Sequence, residues 1–160
     1  VFADVPYSRL NEIKICDVKM DSSHAVIMAD LTAAYEPEIG VRKFTRVFEF
    51  SAPGRFVVKD SVELERPQIV TSYFHSDNLI EKRPGSIFAF EPGGTSLSVQ
   101  IAKSEMFNSL IEKNILTAPG KPGSVDKGER EERGVRLAVS TKEKVKKLEQ
   151  AVTLEIVKKK

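Results

Sequence analysis

The sequence predicts an all-β fold, an antiparallel two-sheet β-sandwich in a single domain over residues 1–160, and three observations carry that expectation. Eleven segments of about 5–12 residues rich in Val, Ile, Phe and Thr follow one another. Pro, Gly, Asp, Asn and Ser punctuate them, as in Asp21-Ser22-Ser23, Ala52-Pro53-Gly54, Arg83-Pro84-Gly85 and Pro92-Gly93-Gly94. No long helical period competes, because the apolar residues alternate within the segments instead of recurring every three or four positions.

Taken in order, the strand candidates are Asn11–Met20, His24–Tyr35, Arg42–Phe50, Phe56–Leu64, Gln68–His75, Asn78–Lys82, Ser86–Phe90, Ser96–Lys103, Asn108–Leu116, Gly134–Ser140 and Ala151–Val157. The short turns between them make most connections hairpins. Ala118–Arg133 combines two Pro, three Gly and dense charge and reads as a mobile loop. Ser140-Thr141-Lys142-Glu143 fits a capping box, and Val145 and Leu148 three apart would then face a core, so one short helix is expected near residues 141–149.

With 160 residues, folding removes roughly 70% of the surface an unfolded chain exposes, enough for a core without staples. No apolar run approaches the roughly 20 residues of a membrane-spanning helix, so no membrane partner is expected. A net charge of +2 from 25 basic and 23 acidic residues gives no field that implies nucleic acid. Cys16 alternates with Ile13, Ile15, Val18 and Met20 and reads as a buried thiol, since free cysteine behaves mostly as a small hydrophobe. The chain opens Val1-Phe2-Ala3-Asp4 without initiator Met or leader, which reads as a processed or excised piece of a longer chain.

Residue types that could carry chemistry are sparse. His24 and His75 fall at strand ends and read as rim histidines, and no zinc-ligand spacing or Gly-x-Ser-x-Gly elbow occurs. Gly93-Gly94-Thr95 lacks the Lys-Ser/Thr and helix of a phosphate cradle and reads as a hairpin turn. Acids such as Glu63 and Glu65 are the ordinary complement of a solvated face. The chain has no Trp and only three Tyr, against a sugar-stacking platform. No catalytic residue, metal ligand or cofactor is therefore assigned. A hydrolase or lyase acting through His75 with a nearby acid or Tyr73 is the least supported alternative.

Two charged features stand out. In Arg42–Phe50 the even positions Phe44, Phe48 and Phe50 are apolar, and in Phe56–Leu64 so are Phe56, Val58, Val62 and Leu64. Each face has one polar interruption, Arg46 and Asp60. A turn over Ser51–Arg55 sets Phe50 opposite Phe56 and Arg46 opposite Asp60, while a one-residue slip would oppose apolar and polar faces. The pair is read as a structural pair that fixes register, or alternatively as a uronate-binding Arg positioned by an acid. The second feature is the cluster Lys142, Lys144, Lys146, Lys147, with Lys158, Lys159 and Lys160 beyond it, read as a solvated face and tail, or alternatively as a patch that attracts an acidic polysaccharide or a membrane surface.

Asp30-Leu31-Thr32-Ala33-Ala34-Tyr35, then Val41-Arg42-Lys43-Phe44-Thr45-Arg46-Val47-Phe48 and Phe56-Val57-Val58-Lys59-Asp60-Ser61-Val62, resemble the C-terminal region of heparinase II/III-type polysaccharide lyases. Gly94-Thr95-Ser96-Leu97-Ser98-Val99 and Arg136-Leu137-Ala138-Val139 continue the succession, which spans about residues 25–157. The resemblance implies a parent in which an α/α toroid and a central β-domain supply the catalytic Tyr and His and a structural metal. The parent reaction would be β-elimination at a uronate. No catalytic or metal motif of that family maps onto a position here. The implied role is a non-catalytic C-terminal sandwich of a periplasmic or extracellular lyase, with the upstream catalytic domains of the same chain as its partners. The alternative is a free-standing binding module for an acidic glycan or a protein.

Overall fold

Alternating side chains and tight turns produce eleven β-strands in the computed structural model of the chain, which describes residues 12–76, 79–90, 95–118 and 132–158. They are β1 (Lys14–Met20), β2 (His24–Asp30), β3 (Val41–Ser51), β4 (Arg55–Gln68), β5 (Thr71–Ser76), β6 (Ile80–Arg83), β7 (Ile87–Phe90), β8 (Thr95–Ile101), β9 (Phe107–Ala118), β10 (Glu132–Thr141) and β11 (Val145–Lys158). An eight-stranded sheet in the order β1-β2-β3-β4-β11-β8-β7-β6 faces a three-stranded sheet in the order β5-β10-β9. Every neighbouring pair is antiparallel.

The β3–β4 hairpin has the register that the apolar alternation selects. Phe50 lies opposite Phe56, Phe48 opposite Val58 and Arg46 opposite Asp60. Beyond the irregularities that follow Val41 and Val145, even-numbered residues of β3, β4 and β11 face the second sheet and odd-numbered ones face away. The outward face carries a polar ladder, with Lys59 on Glu49 at 2.6 Å, Lys147 on Glu63 at 2.8 Å and the Ser61 hydroxyl donating to Glu149 at 2.6 Å. Between the sheets Phe44, Val62, Leu148 and Val152, with Val99, Ile101, Phe88 and Phe90, pack with Val135, Leu137 and Val139 of β10. Leu137, Val139, Phe88 and Val99 are fully enclosed.

Three expectations require correction. No helix forms at 141–149. Ser140, the cap residue of that box, lies within β10 with its hydroxyl 2.8 Å from that of Thr71, and Thr141 closes the strand by donating its N–H to the Val70 carbonyl at 2.9 Å and accepting the Val70 N–H on Oγ1 at 3.2 Å. Val145 and Leu148 both meet the core at helical spacing because the ladder is irregular between Val145 and Lys147, which changes the facing parity of β11. Second, the strand expected over His24–Tyr35 stops at Asp30, whose Oδ1 accepts the Thr32 N–H at 2.9 Å and turns the chain into the 3-10 turn Thr32–Ala34.

Third, Cys16 is exposed, not buried. It is the extra residue where the β1–β2 register shifts between Ile15 and Asp17. A bulge residue leaves the alternation, so its apolar neighbours do not predict its side. For the expected loop at 118–133, Ala118 pairs with Glu132 at the head of the β9–β10 hairpin. Residues 119–131 lie outside the described residues, as do Gly93 and Gly94.

Candidate functional site

Three polar residues sit side by side on the inner face of the large sheet. Arg46 of β3 pairs with Asp60 of β4, and Asp60 pairs with Gln150 of β11. The row is flanked by Phe44, Val62 and Leu148 on one side and by Phe48, Val58 and Val152 on the other. The Arg46 guanidinium forks onto the carboxylate, Nε to Oδ1 at 2.6 Å and Nη2 to Oδ2 at 2.7 Å, the geometry that fits a planar donor to a planar acceptor. Its carbon lies 5.5 Å from the Phe44 ring centre and 5.8 Å from that of Phe48.

Asp60 is buried, and the hydrogen bonds it accepts raise the Arg46 pKa further above its ordinary range, against the opposing effect of burial. Tyr35, stacked at a tilt on Phe44 at 5.8 Å, has its phenol pKa raised, first by burial and also by Asp60, while Arg46 opposes. Gln150 is 5% exposed; its Oε1 accepts the Ser72 hydroxyl from the opposing sheet at 2.7 Å, and its buried Nε2 has no partner. Reversing the amide would only exchange an orphan donor for an orphan acceptor. An unpaired buried amide group costs on the order of 1–3 kcal/mol. These residues line a cleft of about 950 Å³ between the sheets, walled by Val58, Leu154 and Phe74 among others.

A second cluster lies on the three-stranded sheet. His75 pairs with Arg136, which pairs with Glu112. Arg136 donates from Nε to Glu112 Oε2 at 2.7 Å and stacks 4.4 Å above Tyr73, whose ring is 6.4 Å from His75. Burial, and then the Arg136 charge, push the His75 pKa below 6.5, so its imidazole is neutral at neutral pH. The hydrogen bond from Arg136 lowers the Glu112 pKa. A neutral imidazole beside a phenol can accept a proton, while the Arg136 charge is committed to Glu112 and Tyr73.

His24 begins β2 and is exposed, its backbone N–H held by Asp21 Oδ1 at 2.8 Å. Lys142, Lys144, Lys146 and Lys147 are all exposed around the start of β11, and Lys147 is paired with Glu63. Among the described residues no three His, Cys, Asp or Glu side chains converge to hold a metal ion. No helix among them is long and apolar enough to cross a membrane. Sequence reasoning names Arg46 and Asp60 but misses Gln150, Ser72, Glu112 and Arg136. Gln150 had a legible signal, since it interrupts Leu148, Val152 and Leu154 as Arg46 interrupts the Phe residues, provided β11 is started at Val145 and not at Ala151.

Neither a protein-family model nor a curated protein matches the sequence. Solved structures match the fold. Heparan sulfate lyase HepC from Pedobacter heparinus superposes with a TM-score of 0.71 at 10% identity, over 92% of this chain and 22% of that one. The BT4657 gene product, a heparinase III, gives 0.70 at 14% identity, with the same 92% and 22% coverage. A further heparinase III structure gives 0.66 at 9% identity. The chain thus spans about a fifth of the length of these structures, and at such identities what they share with it is the two-sheet sandwich fold.

Proposed function

We propose that this chain is a non-catalytic sandwich module of a polysaccharide lyase of the heparinase II/III type, packing against the catalytic domains of the same polypeptide and holding their geometry. The observation that carries the reading is the lopsided structural match, nearly all of this chain on about a fifth of heparan sulfate lyase HepC. The interior agrees with it. The buried polar row is a cross-strand brace, with the Arg46 and Asp60 charges spent on each other, and Arg136 is tied to Glu112. The parent reaction would be β-elimination on a uronate-containing glycan in the periplasm or outside the cell.

The test is product release. This chain alone, incubated with heparan sulfate, heparin or alginate, should yield no ultraviolet-absorbing unsaturated uronate, because elimination needs both a base and a group that neutralises the uronate carboxylate. The full-length polypeptide should yield it. Turnover by this chain alone that disappears in His75→Ala would overturn the proposal and assign the chemistry to the Tyr73–His75 cluster.

A second reading rests on one observation, that Lys142, Lys144, Lys146 and Lys147 are exposed together. An acidic-glycan surface there would bind heparin with an affinity that falls steeply as salt is raised. Retention on heparin unchanged by neutralising Lys142, Lys144 and Lys146 would dismiss it.

A further inference from the structure

The eight-stranded sheet has far more inner face than three strands can cover. Register fixes which residues share that face. Ile15 pairs with Ala29, which pairs with Arg46. In the same way Val18, Ile27 and Phe48 form one row across the sheet. Met20, Ala25, Phe50 and Phe56 form the next, and Phe56 continues onto Leu154, two residues before Ile156. Ile15, Val18, Met20, Phe48, Phe56 and Ile156 all therefore point to the side where the core lies. They are nonetheless between 39% and 70% exposed. The opposite side of the same strands carries the Lys59–Glu49 and Arg55–Glu155 ion pairs, as a solvated sheet face should.

Single exposed apolar side chains are ordinary, but a contiguous group on one sheet face marks an interaction surface. This one is continuous with the interface the molecule already makes, because Phe48, Val58 and Leu154 also line the cleft between the sheets. It reaches β1, which among the described residues is paired on one side only. None of the six side chains offers an N–H or O–H donor, so a sugar would gain no polar contact from them.

The geometry points to this half-face as the docking surface for an apolar layer supplied by another part of the same polypeptide. The inference rests on the proposed function and deepens it by naming where the module meets the rest of the protein. The occupant follows from two facts. The inter-sheet packing that covers the other half comes from this chain itself, and the matched structures carry this fold within chains of which it spans only 22%.

Single cysteines placed at Val18→Cys, Ile156→Cys and, as an outward-facing control, Lys59→Cys, in a Cys16→Ser background, test it through their rates of reaction with a water-soluble maleimide. The rates are compared between the 160-residue chain and the full-length polypeptide. Covered positions react only through local opening, so V18C and I156C should slow by about tenfold or more in the full-length protein while K59C does not change. Equal rates in the two proteins overturn the docking surface. So does protection already present in the short chain that rises with its concentration as it sediments as a dimer, since the occupant is then a second copy. Lyase activity of the same full-length protein is read separately. Protection without uronate release sinks the proposed function and keeps the surface; release without protection does the reverse.

Discussion

Asp60 lies opposite Arg46 across the β3–β4 hairpin and accepts both hydrogen bonds of its guanidinium fork. Its side chain is 11% exposed and that of Arg46 26%, so the pair lies between a surface ion pair worth little and a buried one whose removal is severe. Arg46→Met strands a carboxylate among Phe44, Phe48 and Val58, and Asp60→Leu strands a guanidinium. Each single change should cost about 2–3 kcal/mol in urea unfolding, between the surface and buried limits, and the double variant much less than their sum. A coupling energy indistinguishable from zero would show that the pair does not act as a unit. His75 supplies a pH test. Its folded pKa lies below the unfolded value of 6.5, so its neutral form favours folding. Its contribution is complete above that unfolded value and is lost as pH falls through the folded one. In an NMR titration the His75 midpoint should lie below 6.5 and rise in Arg136→Gln, which removes a repelling charge and leaves Glu112 unpaired. A midpoint unchanged by Arg136→Gln would exclude the electrostatic part of this account.

Among the elements, what could be read from sequence was whatever follows strict alternation. Each of the eleven strands overlaps a segment of alternating Val, Ile and Phe, although β2 stops at Asp30, Gln68 belongs to β4 and β11 starts six residues earlier than expected, at Val145; the β3–β4 register follows from Phe44, Phe48, Phe50 against Phe56, Val58, Val62. What failed lies at breaks in the alternation. The bulge at Cys16 exposes a thiol among apolar neighbours, and the irregularity after Val145 imitates helical spacing. The crossing of β5, β9 and β10 into a separate sheet is a long-range choice with no local signature, so the Arg136–Glu112 and Ser72–Gln150 contacts could not be foreseen. Gly40 is a local device of the same kind. With φ at 76° it ends the 3-10 turn Pro37–Ile39, donates its N–H to the Pro37 carbonyl at 2.9 Å and accepts the Glu65 N–H at 2.9 Å before β3 begins. An added Cβ would meet Glu65 at an ordinary 3.5 Å, so the penalty is one of backbone conformation. Gly40→Ala should lower stability by about 1–2 kcal/mol, seen as a lower urea midpoint with unchanged slope. An unshifted midpoint would mean that the left-handed conformation is not needed there.

Over the whole molecule, the two sheets make stability uneven. β4 and β11 are each paired on both sides, and with β8 they carry Val62, Leu148, Val152 and Val99 into a core closed by Leu137 and Val139 of β10. Among the described residues β1 has one partner, a bulge in its ladder, and Ile15, Val18 and Met20 turned toward the core side yet exposed. Opening β1 breaks one ladder and uncovers little apolar surface, whereas opening β11 breaks two and exposes the centre of the core. Local opening free energies range from near zero at frayed edges to the global value, so hydrogen-bonded amides of β1 should exchange with deuterium about a hundredfold faster than those of β4, β11 and β10. Denaturant well below the unfolding midpoint should speed exchange in the central strands and leave β1 nearly unaffected, because only the larger opening exposes much new surface. If β1 amides in this chain exchange as slowly as those of β11, the inner face beside β1 is already covered and the exposure of Val18 and Met20 is not a property of the protein in solution.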